Sequence, residues 1–184
     1  MFEQRVLAAT LCIFVLGVNL GLHLRFIYGF DGSDQMQSVV WGGLVAFHAT
    51  DSLLVQHAAV FFVAAQLVLS YLTAGIAKLI SPIWRSGQAV GLIMRTKTYG
   101  TPWLSRTVKQ LHLSGPLSWA TILFEVVGPL SVLAGPKPTL LFLAAGMLFH
   151  ISIAIAMGLN TFVWAFTATF PAVYYASQFL NWYF

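Results

Sequence analysis

Three ionisable side chains stand inside long apolar stretches of this sequence: Lys78, Glu125 and His150. Charge in a bilayer interior is costly, so each marks a candidate functional position. A lysine kept from water can serve as a general base, because desolvation disfavours the ammonium; a carboxylate beside it opposes that effect. The same residues admit a purely structural reading, in which Lys78 and Glu125 form an ion pair or Lys78 extends to the headgroups. His150 reads either as a hydrogen-bonded packing residue or as a ligand contact. At a rise of roughly 1.5 Å per residue, Glu125 lies roughly 13 Å into its helix, His150 roughly 12 Å from the same-side end of the next, and Lys78 roughly 9 Å before Trp84. The three are therefore expected to meet at one depth.

The other polar residues carry weaker signals. His48, Asp51 and His57 gather loosely, but a metal site needs three or four convergent ligands and this spacing fits none, so no metal is expected. Asn160 falls at a turn and reads as a helix cap. The single cysteine, Cys12, excludes an intramolecular disulfide and sits in an apolar run as a packing residue. There is no glycine-rich phosphate loop and no nucleophile elbow.

Positioning these residues falls to helices in lipid. Of the 184 residues, 59% are hydrophobic and 8% charged, more apolar surface than water-wetted folding can hide. At roughly 20 apolar residues per crossing, the apolar stretches take up most of the chain. The fold class expected is all-α: a single polytopic transmembrane helical bundle over residues 1–184, with about five spans at residues 6–28, 58–80, 116–133, 139–158 and 161–180. A short moderately apolar segment, residues 36–47, is expected as an interfacial or re-entrant helix after the turn Asp31-Gly32-Ser33-Asp34. Residues 6–22 could pass for a signal peptide, but no small-residue cleavage site follows and a retained helix is expected. Gly17-Val18-Asn19-Leu20-Gly21 is a GxxxG match, expected to pack within the monomer. Pro171 is expected to kink the last span, and Trp182-Tyr183-Phe184 reads as an aromatic belt.

Five of the nine Lys and Arg lie between Arg85 and Lys109, in a connecting region at residues 81–114. Basic bias in a short loop is a topology signal, not a nucleic-acid signal, and places this region in the cytoplasm. Counting two spans back puts the N-terminus inside, and counting three forward puts the C-terminus outside.

Tyr71-Leu72-Thr73-Ala74-Gly75-Ile76-Ala77-Lys78-Leu79, then Trp84 and Gly87, resembles a pattern of the HTTM family, the membrane domain shared with vitamin K-dependent γ-carboxylase. Phe149-His150, then Met157-Gly158-Leu159-Asn160-Thr161-Phe162 and Pro171, resembles that family's second block, and Asp31-Gly32-Ser33-Asp34-Gln35 is a fainter echo. The resemblance covers about residues 66–175. It implies that Lys78 is the base that deprotonates a quinol, that His150 lies near the quinone pocket, that Gly75 permits close helix approach, and that Trp84 sits at the pocket mouth or interface. With Glu125 from the depth count as a further catalytic candidate, Gly75, Trp84 and Asn160 are the candidate cofactor-binding residues. The quinone or quinol is the cofactor implied. Set against the family pattern, the 184 residues are expected to carry neither the large luminal domain that captures the carboxylase's protein substrate nor one or more of the leading helices. The DoxX type of small four-helix membrane protein has a similar A-G-x-x-K helix.

Two functional classes follow. One is a carboxylase-like or quinol-linked membrane enzyme with an intramembrane lysine base. The other is a non-catalytic accessory subunit that packs against partner membrane subunits or its own copies. A small transporter would need repeats or broken helices beyond Pro171. The partner expected in every case is the lipid bilayer, with no nucleic acid, in a bacterial cytoplasmic membrane.

Overall fold

A computed structural model of the chain describes residues 2–25 and 31–183. Residues 26–28 of the first expected span, and Phe184 of the aromatic belt, lie outside the described residues. Those described are almost wholly helical. Long helices are α1 (Phe2–Arg25), α2 (Gly32–His48), α3 (Leu53–Ile80), α7 (Ser114–Val127) and α8 (Pro136–Met157). Short ones are α4 (Pro82–Arg85), α5 (Ala89–Ile93) and α6 (Pro102–Gln110), with α9 (Asn160–Thr167) and α10 (Phe170–Tyr183) closing the chain. A 3-10 turn, Gly128–Val132, extends α7. In lipid the backbone must satisfy its own polar groups, which is why these apolar runs are helices.

Among the described residues four helical stretches are long and apolar enough to cross a membrane: Glu3–Arg25, Leu53–Ile80, Ser114–Val132 and Pro136–Met157. That is one fewer than the five expected. The expected fifth, residues 161–180, is broken into α9 and α10, each too short to cross alone. Thr169 closes α9, its amide donating to the Phe166 carbonyl at 3.0 Å and its hydroxyl at 2.6 Å. Pro171 then falls in the first turn of α10, where its missing N–H costs no helical bond. The broken pair still runs back along α8: a methyl placed on Gly135, before α8, would meet Asn181 Oδ1 at 3.1 Å.

The segment expected as an interfacial or re-entrant helix is a member of the bundle, packed against α1, α3 and α9. It also starts earlier than its apolar run. Asp31 accepts from the amides of Ser33 and Asp34 at 2.8 and 3.0 Å, and Asp34 accepts from the Asp31 amide at 3.3 Å, a reciprocal cap. Ser33 Oγ reaches Thr161 Oγ1 at 3.0 Å and Ser38 Oγ donates to Asn19 Oδ1 at 2.9 Å. Ser33 and Ser38 are thus satisfied within the bundle, while Asp31 and Asp34 cap the helix at its exposed end.

α2 runs antiparallel to α1. Arg5 pairs with Asp51 at one end, and His23 approaches Asp34 at 3.8 Å at the other. Three helices, not two, therefore separate the start of α1 from the basic connecting region. The start of α1 and residues 81–113 lie at opposite ends, which corrects the count that placed them together.

α3 is the central helix, packed against α2, α7 and α10. Its Leu67 and Tyr71 sit in a core with Phe142, Leu143, Phe166 and Val173. α1 is peripheral: only 6% of its span is buried, against 33% for α3. Nothing lies within 4 Å of a methyl added at Gly17 or Gly21. The GxxxG match therefore does not pack within the monomer as expected.

Candidate functional site

Lys78 lies in the last turn of α3, and Glu125 lies in α7. Lys78 Nζ donates to Glu125 Oε1 at 2.9 Å and to Oε2 at 2.6 Å. The glutamate side chain is 6% exposed and the lysine 21%. Two features place them. Gly75, one turn before Lys78, lets α7 come close: a Cβ there would lie 2.9 Å from the Glu125 carbonyl carbon. Pro82 starts α4 directly after α3, and the turn brings the Trp84 ring to 5.3 Å from Nζ. The lysine thus has a carboxylate on one side and a π face on the other.

The second polar pair stands deeper along α3. Tyr71 Oη and His150 Nε2 are 2.7 Å apart, both residues buried. Tyr71 precedes Lys78 by two helical turns, roughly 10 Å along the axis. Aromatic rings enclose the pair: Phe166 lies 4.4 Å from the imidazole centroid, and Phe142 and Phe124 meet the phenol edge-on at 5.3 and 5.5 Å. His150 Nδ1 is buried without a hydrogen-bond partner. Such an orphaned group in a native interior calls for an explanation, and a ligand is one.

Both pairs line one cavity of about 980 Å³, with Met36, Trp103 and Phe162 also in its wall. This is the size of a pocket for a drug-sized ligand, apolar with a few convergent polar groups. The expectation that Lys78, Glu125 and His150 meet is realised in two steps. Lys78 and Glu125 bond directly, whereas His150 bonds Tyr71 and shares only the cavity.

The remaining expectations separate. Trp84 lines the cavity. Gly75 faces α7 and acts through helix approach. Asn160 is exposed, is the first residue of α9 with the cap position on Leu159, and is not in the cavity wall. Its place as a helix cap is therefore corrected: the chain turns through Gly158, whose φ of 74° ends α8. His57 bonds Tyr175 Oη at 3.1 Å, Asp51 pairs with Arg5, and His48 packs edge-on to Phe47. Among the described residues no three His, Cys, Asp or Glu group as a metal site. Tyr71 is the residue that sequence reasoning passed over, although its spacing of seven from Lys78 put it on the same helix face.

These helices and this cavity define an all-α membrane protein with two polar pairs set in a largely apolar cavity. Compared with known proteins, the chain matches no family model, no curated protein and no solved structure.

Proposed function

We propose that the cavity binds one hydrophobic amphiphile with an oxygen-bearing ring, of the quinol class, and that Lys78 handles its proton. The observation that carries this is the cavity of about 980 Å³ into which both the Lys78–Glu125 pair and the Tyr71–His150 pair project. The likeness to the HTTM domain supports the same reading, because it sets a lysine base at this position. The residues present fit a quinol: the aromatic wall would hold its ring, and His150 Nδ1, buried without a hydrogen-bond partner, would be available to one of its oxygens. When bound, it would supply the redox chemistry that the side chains cannot.

As an ion pair Lys78 is a donor, not a base. It becomes one by passing a proton from Nζ to a Glu125 oxygen, which leaves a neutral amine beside a neutral acid. The amine would then be free to accept a proton at Nζ from a group bound in the cavity, with the carboxylic acid of Glu125 holding the first proton. The largely apolar wall lowers the local polarity around Glu125, whose side chain is 6% exposed, which strengthens these interactions. The test is mass spectrometry of the organic extract of detergent-purified protein, wild type beside Lys78→Met. A quinone at about one per chain supports the reading; none in a folded preparation ends it.

A second reading, an accessory subunit, is favoured by α1. That helix packs chiefly on α2 and leaves Gly17 and Gly21 facing open space. Small residues on a bare membrane helix suit a close helix partner. Chemical crosslinking from α1 in native membranes separates this reading from a solitary enzyme.

A further inference from the structure

The connecting region forms a cap over one end of the bundle, made of α4, α5 and α6. Its five cations, Arg85, Arg95, Lys97, Arg106 and Lys109, are all exposed. No Asp or Glu occurs between Asp51 and Glu125, and Glu125 is committed to Lys78. Among the described residues none of the five has an acidic partner within salt-bridge distance. At the opposite end Glu3, Arg5, Asp51 and Lys137 cancel, so the net charge of +4 resides at the cap's end.

The cap is apolar where a water-facing basic surface would be polar. Trp103 is 61% exposed and Leu111 62%. Within α6 the faces divide: Leu104 and Val108, four apart, line the cavity, while Arg106 and Lys109 lie on the outer side and Trp103, although 61% exposed, also borders the cavity. Basic and aromatic residues interleaved on a short amphipathic helix suit the boundary between headgroups and acyl chains. A purely aqueous partner, such as an acidic protein, would leave Trp103 and Leu111 unexplained.

We infer that the cap of α4–α6 docks on the headgroups of anionic phospholipids, with Arg95, Lys97, Arg106 and Lys109 facing the phosphates and Trp103 seated among the glycerol backbones. This holds whatever the cavity carries, since the four cations lie outside the cavity wall and Trp103 alone borders it. Each basic side chain near an anionic leaflet adds to the attraction, and the sum falls within a Debye length.

The test uses the full chain in nanodiscs of equimolar phosphatidylglycerol and phosphatidylcholine. After exchange into detergent, the lipid retained per chain is counted by native mass spectrometry. Wild type is expected to retain phosphatidylglycerol about tenfold over phosphatidylcholine. The variant Arg95→Gln, Lys97→Gln, Arg106→Gln, Lys109→Gln is expected to retain the two about equally. Raising salt on wild type provides a second readout free of mutation, and the preference should shrink. Equal retention by wild type, or a preference that survives both the variant and salt, overturns the proposal.

Discussion

Both carboxylate oxygens of Glu125 lie within hydrogen-bond range of the single Lys78 ammonium, at 2.9 and 2.6 Å. The pair is the only contact between α3 and α7 that balances charge, and it sits where the cavity begins. Removing one partner leaves the other in an apolar setting without its counter-charge or its hydrogen bonds. Lys78→Met should therefore lower stability by about 3 kcal/mol, and the double change Lys78→Met, Glu125→Leu should recover most of it. Thermal unfolding in detergent reads both. Recovery of stability without recovery of the bound amphiphile would assign the pair to ligand handling. Recovery of both would make it a structural clasp and remove the base.

Gly75 makes the pair possible. A methyl there would lie 2.8 Å from Val126 Cγ2 and 2.9 Å from Glu125 backbone, and backbone cannot yield as a side-chain tip can. Gly75→Ala should cost about 1–3 kcal/mol by overpacking. Gly17→Ala and Gly21→Ala meet no neighbour and should fall within about 0.5 kcal/mol of wild type. Equal losses at all three would mean that α1 is packed in the protein as purified, by a second chain. Unfolding midpoints at two protein concentrations distinguish these cases.

The helical spans were legible because hydropathy reports directly how much of a segment lipid can cover. Lys78 and Glu125 were legible as partners because the helix rise fixes depth, and both residues are rare enough in lipid to stand out. What was not legible is what crosses from one helix to another. The Tyr71–His150 bond joins residues 79 apart in sequence, and a tyrosine in an apolar run looks like any aromatic packing residue. The length of α2 was hidden by its polar start, although Asp31 and Asp34 at the cap and third positions already spelled a helix N-terminus. The break near Pro171 was read as a kink because hydropathy averages across two short helices as readily as one long one.

Tyr71 is the sole hydrogen-bond partner of His150 among the described residues. Tyr71→Phe keeps the ring and its edge-on contacts, but leaves both imidazole nitrogens buried without partners. It should cost about 1–3 kcal/mol. His150→Phe should cost a comparable amount by orphaning the phenol. The two together should cost less than their sum, because the second change has no bond left to break. A double-mutant cycle on unfolding free energies gives the coupling. Strict additivity would show that the bond contributes nothing to the folded state.

The arrangement of ends makes a sided prediction. Arg5 meets Asp51, so the start of α1 and the start of α3 share one end, while α3 carries the chain to the basic cap at the other. The 3-10 turn after α7 leads to Gly135 and Lys137 back at the first end. Basic loops stay in the cytoplasm, so the cap should face inward and Lys137 outward. The native Cys12 is buried and should stay silent to a membrane-impermeant maleimide. Lys137→Cys should then label in intact cells, and Lys109→Cys only after the membrane is opened. The reverse pattern would invert the protein in its membrane, and labelling of both from one side would break the antiparallel path of α7 and α8.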